Sequence, residues 1–379
     1  MDSTIRLLQD LVAIDSVNPS LVPGAAGEGA VADRLAIEMR RLGLDVVVEP
    51  VAPGRPNVVG VIEGRAPGRS LMFCGHTDTV GVAGMASPFT PTVRDGRLYG
   101  RGSQDMKSGL AAMIAAAGVI AERRLPSGRV VVAAVVDEEH ASIGADALVT
   151  KWCADAAVVT EPTDLSIAIG HKGFEWIHLE VAGKAAHGSR PAEGEDAILR
   201  LGRVLTRLEA LDRDLQRRPP HPRMGTGSLH ASLVSGGREL SSYPDAATLH
   251  MERRTLPGES LSAGLLEVEQ ICTSLVAEDP TFRARCGQIF SRPAYEIQPD
   301  HELPRALSAS LAATGGTPRV TGASFWTDAA VLGHAGIPSV LFGPGGAGLH
   351  SIEEYVLVDD VFRCRDTLVE LALRFCRPA

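Results

Sequence analysis

The sequence predicts an α/β protein with a mostly parallel central sheet flanked by helices, into which a smaller α+β segment is inserted. Three observations carry this expectation. Short apolar runs rich in β-branched residues alternate with amphipathic helical patterns in the first third of the chain. The texture changes from about Phe174 to Phe290, where half-exposed strand patterns alternate with helices. The length, 379 residues, exceeds the size at which a single core usually stops growing.

Taken in order, Ile5 to Ile14 and Val31 to Leu42 repeat apolar residues at helical spacing, and Gly43 is placed to end the second helix. Asn57 to Ile62, Ser70 to Cys74 and Arg129 to Val136 have the composition of strands covered on both faces. An alanine-rich helix is expected from Lys107 to Arg124, stopping before Pro126. Ala156 to Thr160 and Ser339 to Phe342 supply further core strands. In the inserted segment, Phe174 to Val181 and Ala246 to Arg253 read as strands, and Glu195 to Leu211 and Leu261 to Leu275 as helices. The proline-rich stretch Arg217 to Gly227 reads as a loop. The expected domains are residues 1–173 with 291–379, and residues 174–290.

With 45% hydrophobic and 22% charged residues, the composition is that of an ordinary globular chain, and no apolar run is long enough to span a bilayer. A net charge of −9 without any Lys/Arg run excludes nucleic acid and anionic membrane as main partners and favours a small molecule. The stretch Met1 to Asp10 carries Asp2, Arg6 and Asp10 among leucines at helical spacing and lacks a secretory pattern, so a cytoplasmic location is expected. The six cysteines are scattered without a CxxC and read as buried, reduced thiols.

Chemistry-bearing residues recur where apolar strands end, the usual position of ligand sites in α/β sheets. His76 follows Leu71 to Cys74, and Asp78, two residues on, faces the same way in extended geometry and can orient it. Asp137-Glu138-Glu139-His140 follows Arg129 to Val136, and Glu161 follows Ala156 to Thr160. So many carboxylates at one sheet end are costly unless cations neutralise them, although a solvated acidic loop accounts for the run alone. Asp105 opens the alanine-rich helix, either as an ordinary N-cap or as part of this cluster. The turn Gly343 to Gly348 fits GxGxxG in form, but it lies near the end of the given sequence and is followed by His350 and Glu353-Glu354 instead of directly by an apolar helix, so a dinucleotide site is rejected. Neither a phosphate loop nor a GxSxG elbow is present.

Gly75-His76-Thr77-Asp78-Thr79-Val80, the stretch from Tyr99 to Gly109, Asp137-Glu138-Glu139, Glu161-Pro162-Thr163 and the late His350 resemble, in order, the motifs of the M20 metallopeptidases. That family includes acetylornithine deacetylases, desuccinylases, aminoacylases and glutamate carboxypeptidases. The resemblance implies a zinc-peptidase-like catalytic domain with an inserted lid and dimerisation domain. It implies that Asp105 bridges two zinc ions, one also held by His76 and Glu161 and the other by Glu139 and His350, with cobalt or manganese as possible substitutes. Glu138 would be the general base, and Asp105-Met106 a cis peptide.

The stretch Lys184 to Pro191 resembles the family's lid segment, which implies that His187 stabilises an oxyanion in the partner's site of a homodimer. Arg253 to Glu259 resembles the segment whose arginine grips a substrate carboxylate. This favours Arg254, with Arg253 as a solvated neighbour. Ser241 stands where relatives commonly carry a substrate-contacting asparagine, and Phe325-Trp326 are either core or the lining of an acyl or side-chain pocket. The expected activity is metal-dependent hydrolysis of an N-acyl-L-amino acid, of the acetylornithine deacetylase type. A dipeptidase or glutamate-type carboxypeptidase on the same scaffold is the nearest alternative, and a non-catalytic peptide- or metal-binding member the alternative of another class.

Overall fold

Apolar, β-branched runs form the strands at the centre of the first of two compact units in the computed structural model, which describes residues 2–378. This unit comprises Met1–Gly170, Ile297–Gly322 and Thr327–Ala379; the second comprises His171–Glu296 and Ala323–Trp326.

In the first unit the sheet runs in the order Asp45–Ala52, Arg55–Glu63, Arg129–Val135, Ser70–His76, Ala156–Val159, Ser339–Leu341 and Ile167–His171. Its middle is parallel: Ser70–His76 pairs with both Arg129–Val135 and Ala156–Val159, and the latter with Ser339–Leu341. Antiparallel strands extend it on either side. Parallel pairing aligns the carboxyl ends of these strands, so His76, the Asp137 turn and Glu161 emerge at one end of the sheet. Val130, Val131, Val132, Leu71, Met72 and Phe73 are wholly buried. Burying each such side chain contributes ~1.5–3 kcal/mol, before the entropy of ordering the chain is charged against it.

Helix Lys107–Arg123 is buried along almost its whole length and packs against helices Ser3–Val12 and Val358–Phe375. Its alanines and glycines allow close approach. A Cβ on Gly109 would lie 2.0 Å from the Thr160 carbonyl oxygen, so this glycine lets the helix touch the end of strand Ala156–Val159. Asp2 caps the first helix by accepting the Thr4 N–H at 2.7 Å, and Gly43, with φ +84°, follows the end of Gly29–Arg41.

The second unit is a four-stranded antiparallel sheet in the order Ser228–Gly236, Ala246–Thr255, Gly173–Ala182 and Arg283–Arg292. Ile177, Leu179, Val181, Leu249 and Met251 form one core with Leu201, Val204 and Leu208 of helix Ala197–Arg217 and Val268 and Leu275 of helix Ala263–Glu278. Alternation carries this face on to Arg253, which is fully buried and bonds Glu259 at 2.7 Å and Glu267 at 2.9 Å. The alternative of a solvated Arg253 is therefore corrected: removing both carboxylates would strand the guanidinium in the interior. Phe174, Trp176, Phe290 and Trp326 form an aromatic cluster. Trp326 is buried there, and its indole N–H donates to the Pro293 carbonyl at 3.0 Å.

Some expectations need correction. The helix expected to stop at Leu211 continues to Arg217, where Pro219 and Pro220 follow. Strands Asp45–Ala52, Ser228–Gly236 and Arg283–Arg292 lie at sheet edges and bury no residue except Leu229, so the pattern of a strand covered on both faces does not find them. All six cysteines are free, but only Cys74, Cys364 and Cys376 are buried; Cys153 is exposed. Among the described residues no helix is long and apolar enough to cross a membrane.

Candidate metal centre

His76 ends its strand and is buried, and its Nδ1 lies 3.0 Å from the Asp78 carbonyl oxygen and 3.5 Å from Asp78 Oδ1. These acceptors favour the tautomer with a proton on Nδ1, which leaves the Nε2 lone pair free to bind a cation. Asp105, in the loop before helix Lys107–Arg123, places Oδ1 3.1 Å from His76 Nε2. Its Oδ2 lies 3.3 Å from His350 Nε2. The Asp105-Met106 peptide is cis.

Glu138 and Glu139 follow strand Arg129–Val135. Asp78 accepts their backbone N–H groups at 3.2 and 3.1 Å. Glu139 Oε2 lies 3.2 Å from His350 Nε2, Glu138 Oε2 3.8 Å from His76 Nε2, and Glu161 Oε1 3.9 Å from the same atom. The liganding atoms of His76, Asp105 and Glu139 lie within 4.8 Å of one another, as do those of His76, Glu138 and Glu161. The metal-ligating candidates from five separate chain segments thus converge, and Asp105 turns one oxygen to each histidine.

The electrostatics are those of a site suited to cations. Burial, and then the Glu161 charge, raise the Glu138 pKa well above the usual carboxylate range, and burial raises Glu161 likewise. Burial followed by the Asp105 charge raises Glu139. Burial also pushes Asp105 upward, but hydrogen bonds from His350 and His76, whose imidazoles are both protonated until a cation takes their Nε2 atoms, outweigh it and hold this carboxyl well below its ordinary value. Glu139 Oε1 and Glu161 Oε1 are buried acceptors with no hydrogen-bond partner. Such atoms, beside a shared carboxylate and two imidazoles, fit a pair of divalent cations.

Other groups at the centre went unrecognised in the sequence. Asn18 donates to Asp78 Oδ2 at 2.8 Å and Asp137 Oδ1 at 3.0 Å. Arg55 binds Glu28 through two contacts of 2.6 and 2.7 Å and Asp137 at 2.7 Å. Asp137, part of the acidic run, is thus neutralised by an arginine and does not join the ligand cluster. Asp328 is buried, and its charge helps raise Glu138 and Glu161. Only its neighbours Phe325 and Trp326 drew notice in the sequence.

In the second unit His187 is exposed, with Nδ1 2.8 Å from the Ser189 hydroxyl. The carbonyl oxygen of Ser241, also exposed, accepts the Gly188 N–H at 2.7 Å, so these two candidate segments meet. Arg254 is half-buried, bonds Glu252 at 2.6 Å, and lies over the Phe174 ring at 5.5 Å. The turn after Gly343 enters the short strand Gly346–Ala347, and no helix begins before Val358, in keeping with the rejection of a dinucleotide site.

An α/β sheet carrying clustered histidines and carboxylates at the carboxyl ends of its parallel strands defines a metal-dependent hydrolase of the metallopeptidase and amidohydrolase class. The profile of peptidase family M20/M25/M40 matches residues 72–374, and the chain belongs to that family. Acetylornithine deacetylase of Myxococcus xanthus is 32% identical over 97% of this chain and 96% of its own length. A tripeptidase from Staphylococcus aureus superposes with a TM-score of 0.83 at 22% identity, covering 98% of this chain and 97% of its own. A dinuclear metal-binding M20 peptidase of Bacillus subtilis gives a TM-score of 0.76 at 16% identity, covering 98% and 96%.

Proposed function

We propose that this protein hydrolyses the amide bond of an N-acyl-L-amino acid, in the manner of an acetylornithine deacetylase, with two zinc ions as its cofactor. The observation that carries the reading is Asp105 turning one oxygen to His76 and the other to His350, with Glu161 and Glu139 alongside. The 32% identity to a deacetylase along nearly the whole chain favours an acyl-amino acid over a peptide. The likeness to a tripeptidase, at 22% identity, supports the fold alone.

In this reading His76, Asp105 and Glu161 hold one ion and His350, Asp105 and Glu139 the other. When bound, the pair supplies the positive charge that makes a water nucleophilic near neutral pH and polarises the scissile carbonyl. Asp78 keeps His76 in the ligating tautomer and holds the turn from which Glu138 and Glu139 face the histidines. Glu138 takes the proton of the attacking water and passes it to the departing amine, a task suited to a carboxylate whose pKa is raised. Arg254 grips the substrate α-carboxylate, Ser241 contacts the substrate, and His187 stabilises the tetrahedral oxyanion in the site of a partner subunit. The edge strand Ser228–Gly236, with Leu233 and Val234 each 67% exposed, favours a homodimer. Six free cysteines agree with a reducing, cytoplasmic setting.

A non-catalytic binding role is disfavoured because the proposed ligands and Glu138 are all in place. The test is a hydrolysis panel of acetyl, succinyl and aryl-acyl amino acids, their α-carboxamides, and dipeptides, with zinc, cobalt or manganese added to chelated protein. Turnover of an acetyl-amino acid well above that of dipeptides supports the reading. Turnover of dipeptides alone replaces it with a peptidase.

A further inference from the structure

We infer that Glu354 is a positioning residue that sets the spacing of the two sides of the metal centre by clamping the Asp105 loop to the segment carrying His350. This rests on the two-cation reading above.

The difficulty that Glu354 solves is visible in the chain. Residues 349–353 are exposed, and His350 itself has φ +57°, so nothing in this stretch packs its ligand into the interior. Glu354 is the first buried residue after it, with its side chain entirely out of solvent. Its carboxylate points back to the loop that presents Asp105, almost 250 residues earlier in the chain.

There Oε2 accepts from Arg101 Nη1 at 2.6 Å and from the Gly102 N–H at 3.0 Å. Oε1 accepts the N–H groups of Gln104 at 2.9 Å and of Asp105 at 3.1 Å. Two contacts to backbone carbonyls complete the seam. The Gly100 N–H donates to the Glu354 carbonyl at 3.1 Å, and Arg101 Nη2 donates to the Ser351 carbonyl at 2.9 Å.

A buried carboxylate costs several kcal/mol to desolvate unless its lone pairs are filled, and here four donors fill them. Three of the donors are consecutive or near-consecutive amides of one loop, so Glu354 fixes that loop's backbone rather than a single side chain. Asp105 is the last residue fixed, and its two oxygens reach the two histidines. The same carboxylate therefore sets where Asp105 stands and, through the three residues between it and His350, how far away His350 can be. Each liganding group remains chemically intact without Glu354. What would be lost is their mutual distance, on which shared coordination depends.

The experiment measures zinc uptake by the chelated full-length protein, in competition with a chromophoric chelator, for wild type, Glu354→Gln, Glu354→Asp and Glu353→Gln. Glu353 is an exposed neighbour whose carboxylate faces Arg94 at 3.6 Å on the surface. The expected result for Glu354→Gln is zinc affinity lowered by ~10–100-fold, the usual effect of removing an outer partner of a ligand, with wild-type circular dichroism and wild-type affinity in Glu353→Gln. Glutamine keeps one acceptor oxygen but turns an amino group toward an amide N–H, and it leaves Arg101 without its counter-charge. Glu354→Asp keeps the charge and shortens the reach, so it should lie between wild type and Glu354→Gln. Saturating zinc should restore more of kcat to Glu354→Gln than to Glu138→Gln, because the chemical groups are all still present.

Glu354→Gln protein that is folded and binds two zinc ions with wild-type affinity overturns the proposal. So does an equal loss in Glu353→Gln, which would make the effect one of surface charge. Wild-type protein that takes up no zinc removes the two-cation reading itself, a result distinct from either.

Discussion

The carboxylate of Asp78 accepts the backbone N–H of Glu139 at 3.1 Å, so the residue that orients His76 also fixes the turn from which two further carboxylates project. One buried side chain ties two strand ends together. Asp78→Ala should leave His76 Nδ1 on the residue-78 carbonyl but remove the carboxylate beside it and release the turn, weakening cation binding by ~10–100-fold. Asp78→Asn, which keeps one acceptor, should lose less. Metal content after dialysis against graded chelator, compared across the three proteins, decides it; equal retention would show that the turn holds itself.

Glu138 and Glu139 are adjacent but face different histidines. Glu138→Gln should lower kcat by ~10²–10⁴-fold with both cations retained, the magnitude of lost general acid–base catalysis. Glu139→Ala should instead lose metal. Near-normal turnover in Glu138→Gln would falsify the assignment of proton transfer to this residue.

The pH dependence of the metal-free protein follows from His350. Hydrogen bonds that its imidazole donates to the Asp105 and Glu139 carboxylates push its pKa up to about 10. A histidine raised in this way contributes stability that is fully present below its unfolded value, about 6.5, and is lost as pH rises through about 10. The stability difference between chelated wild type and His350→Ala should therefore shrink across that window, as read by urea unfolding. Because a ligating imidazole must be neutral, zinc uptake near pH 7 should release protons, and apparent affinity should climb with pH. Zinc uptake without proton release in a weakly buffered titration would contradict this.

Arg55 is the counter-charge to Glu28 and Asp137, and its side chain is 9% exposed. Arg55→Met should leave two carboxylates buried without a cation and destabilise the fold by ~3–5 kcal/mol. Arg55→Lys should recover only part, since an ammonium cannot reproduce the two-pronged contact with Glu28. A shift of under about 1 kcal/mol in the denaturation of Arg55→Met would mean that water replaces the guanidinium.

Mixing Glu138→Ala with His187→Ala under conditions of subunit exchange tests the dimer. If His187 serves the partner's site, the site built on the His187→Ala chain keeps Glu138 and borrows an intact histidine, so one site in two recovers. Verified mixed dimers that stay inactive would place His187 in its own chain's site or outside catalysis.

What the sequence made legible follows from where each signal lives. His76, Glu138, Glu139 and Glu161 stand immediately after apolar strand patterns, and the parallel sheet carries those ends to one edge. Glu354, Asn18 and Arg55 bear no such mark, because each acts through contacts with segments far away in the chain, and no local spacing encodes a partner at that separation. Arg253 is the instructive error. Leu249, Met251, Arg253 and Thr255 occupy alternate positions of one strand and are all buried, so the period itself assigned this arginine to the interior face. Its charge drew attention away from its position.

The pairing of strand Ala156–Val159 with Ser339–Leu341 also bears on how the protein is made. These neighbours in the sheet are separated along the chain by the whole second unit. At the ribosome, roughly 5–20 residues emerge each second, so the interval between the appearance of Glu161 and of His350 is roughly ten to forty seconds. During that time the central sheet lacks an inner strand and the carboxylates lack their second imidazole. Contacts of such long range close late and slowly. With His350 as a ligand, as proposed, the centre cannot hold its second cation until this residue has emerged, 189 residues after Glu161 (350 − 161), so cation capture and closure of the sheet belong to the same late stage of folding.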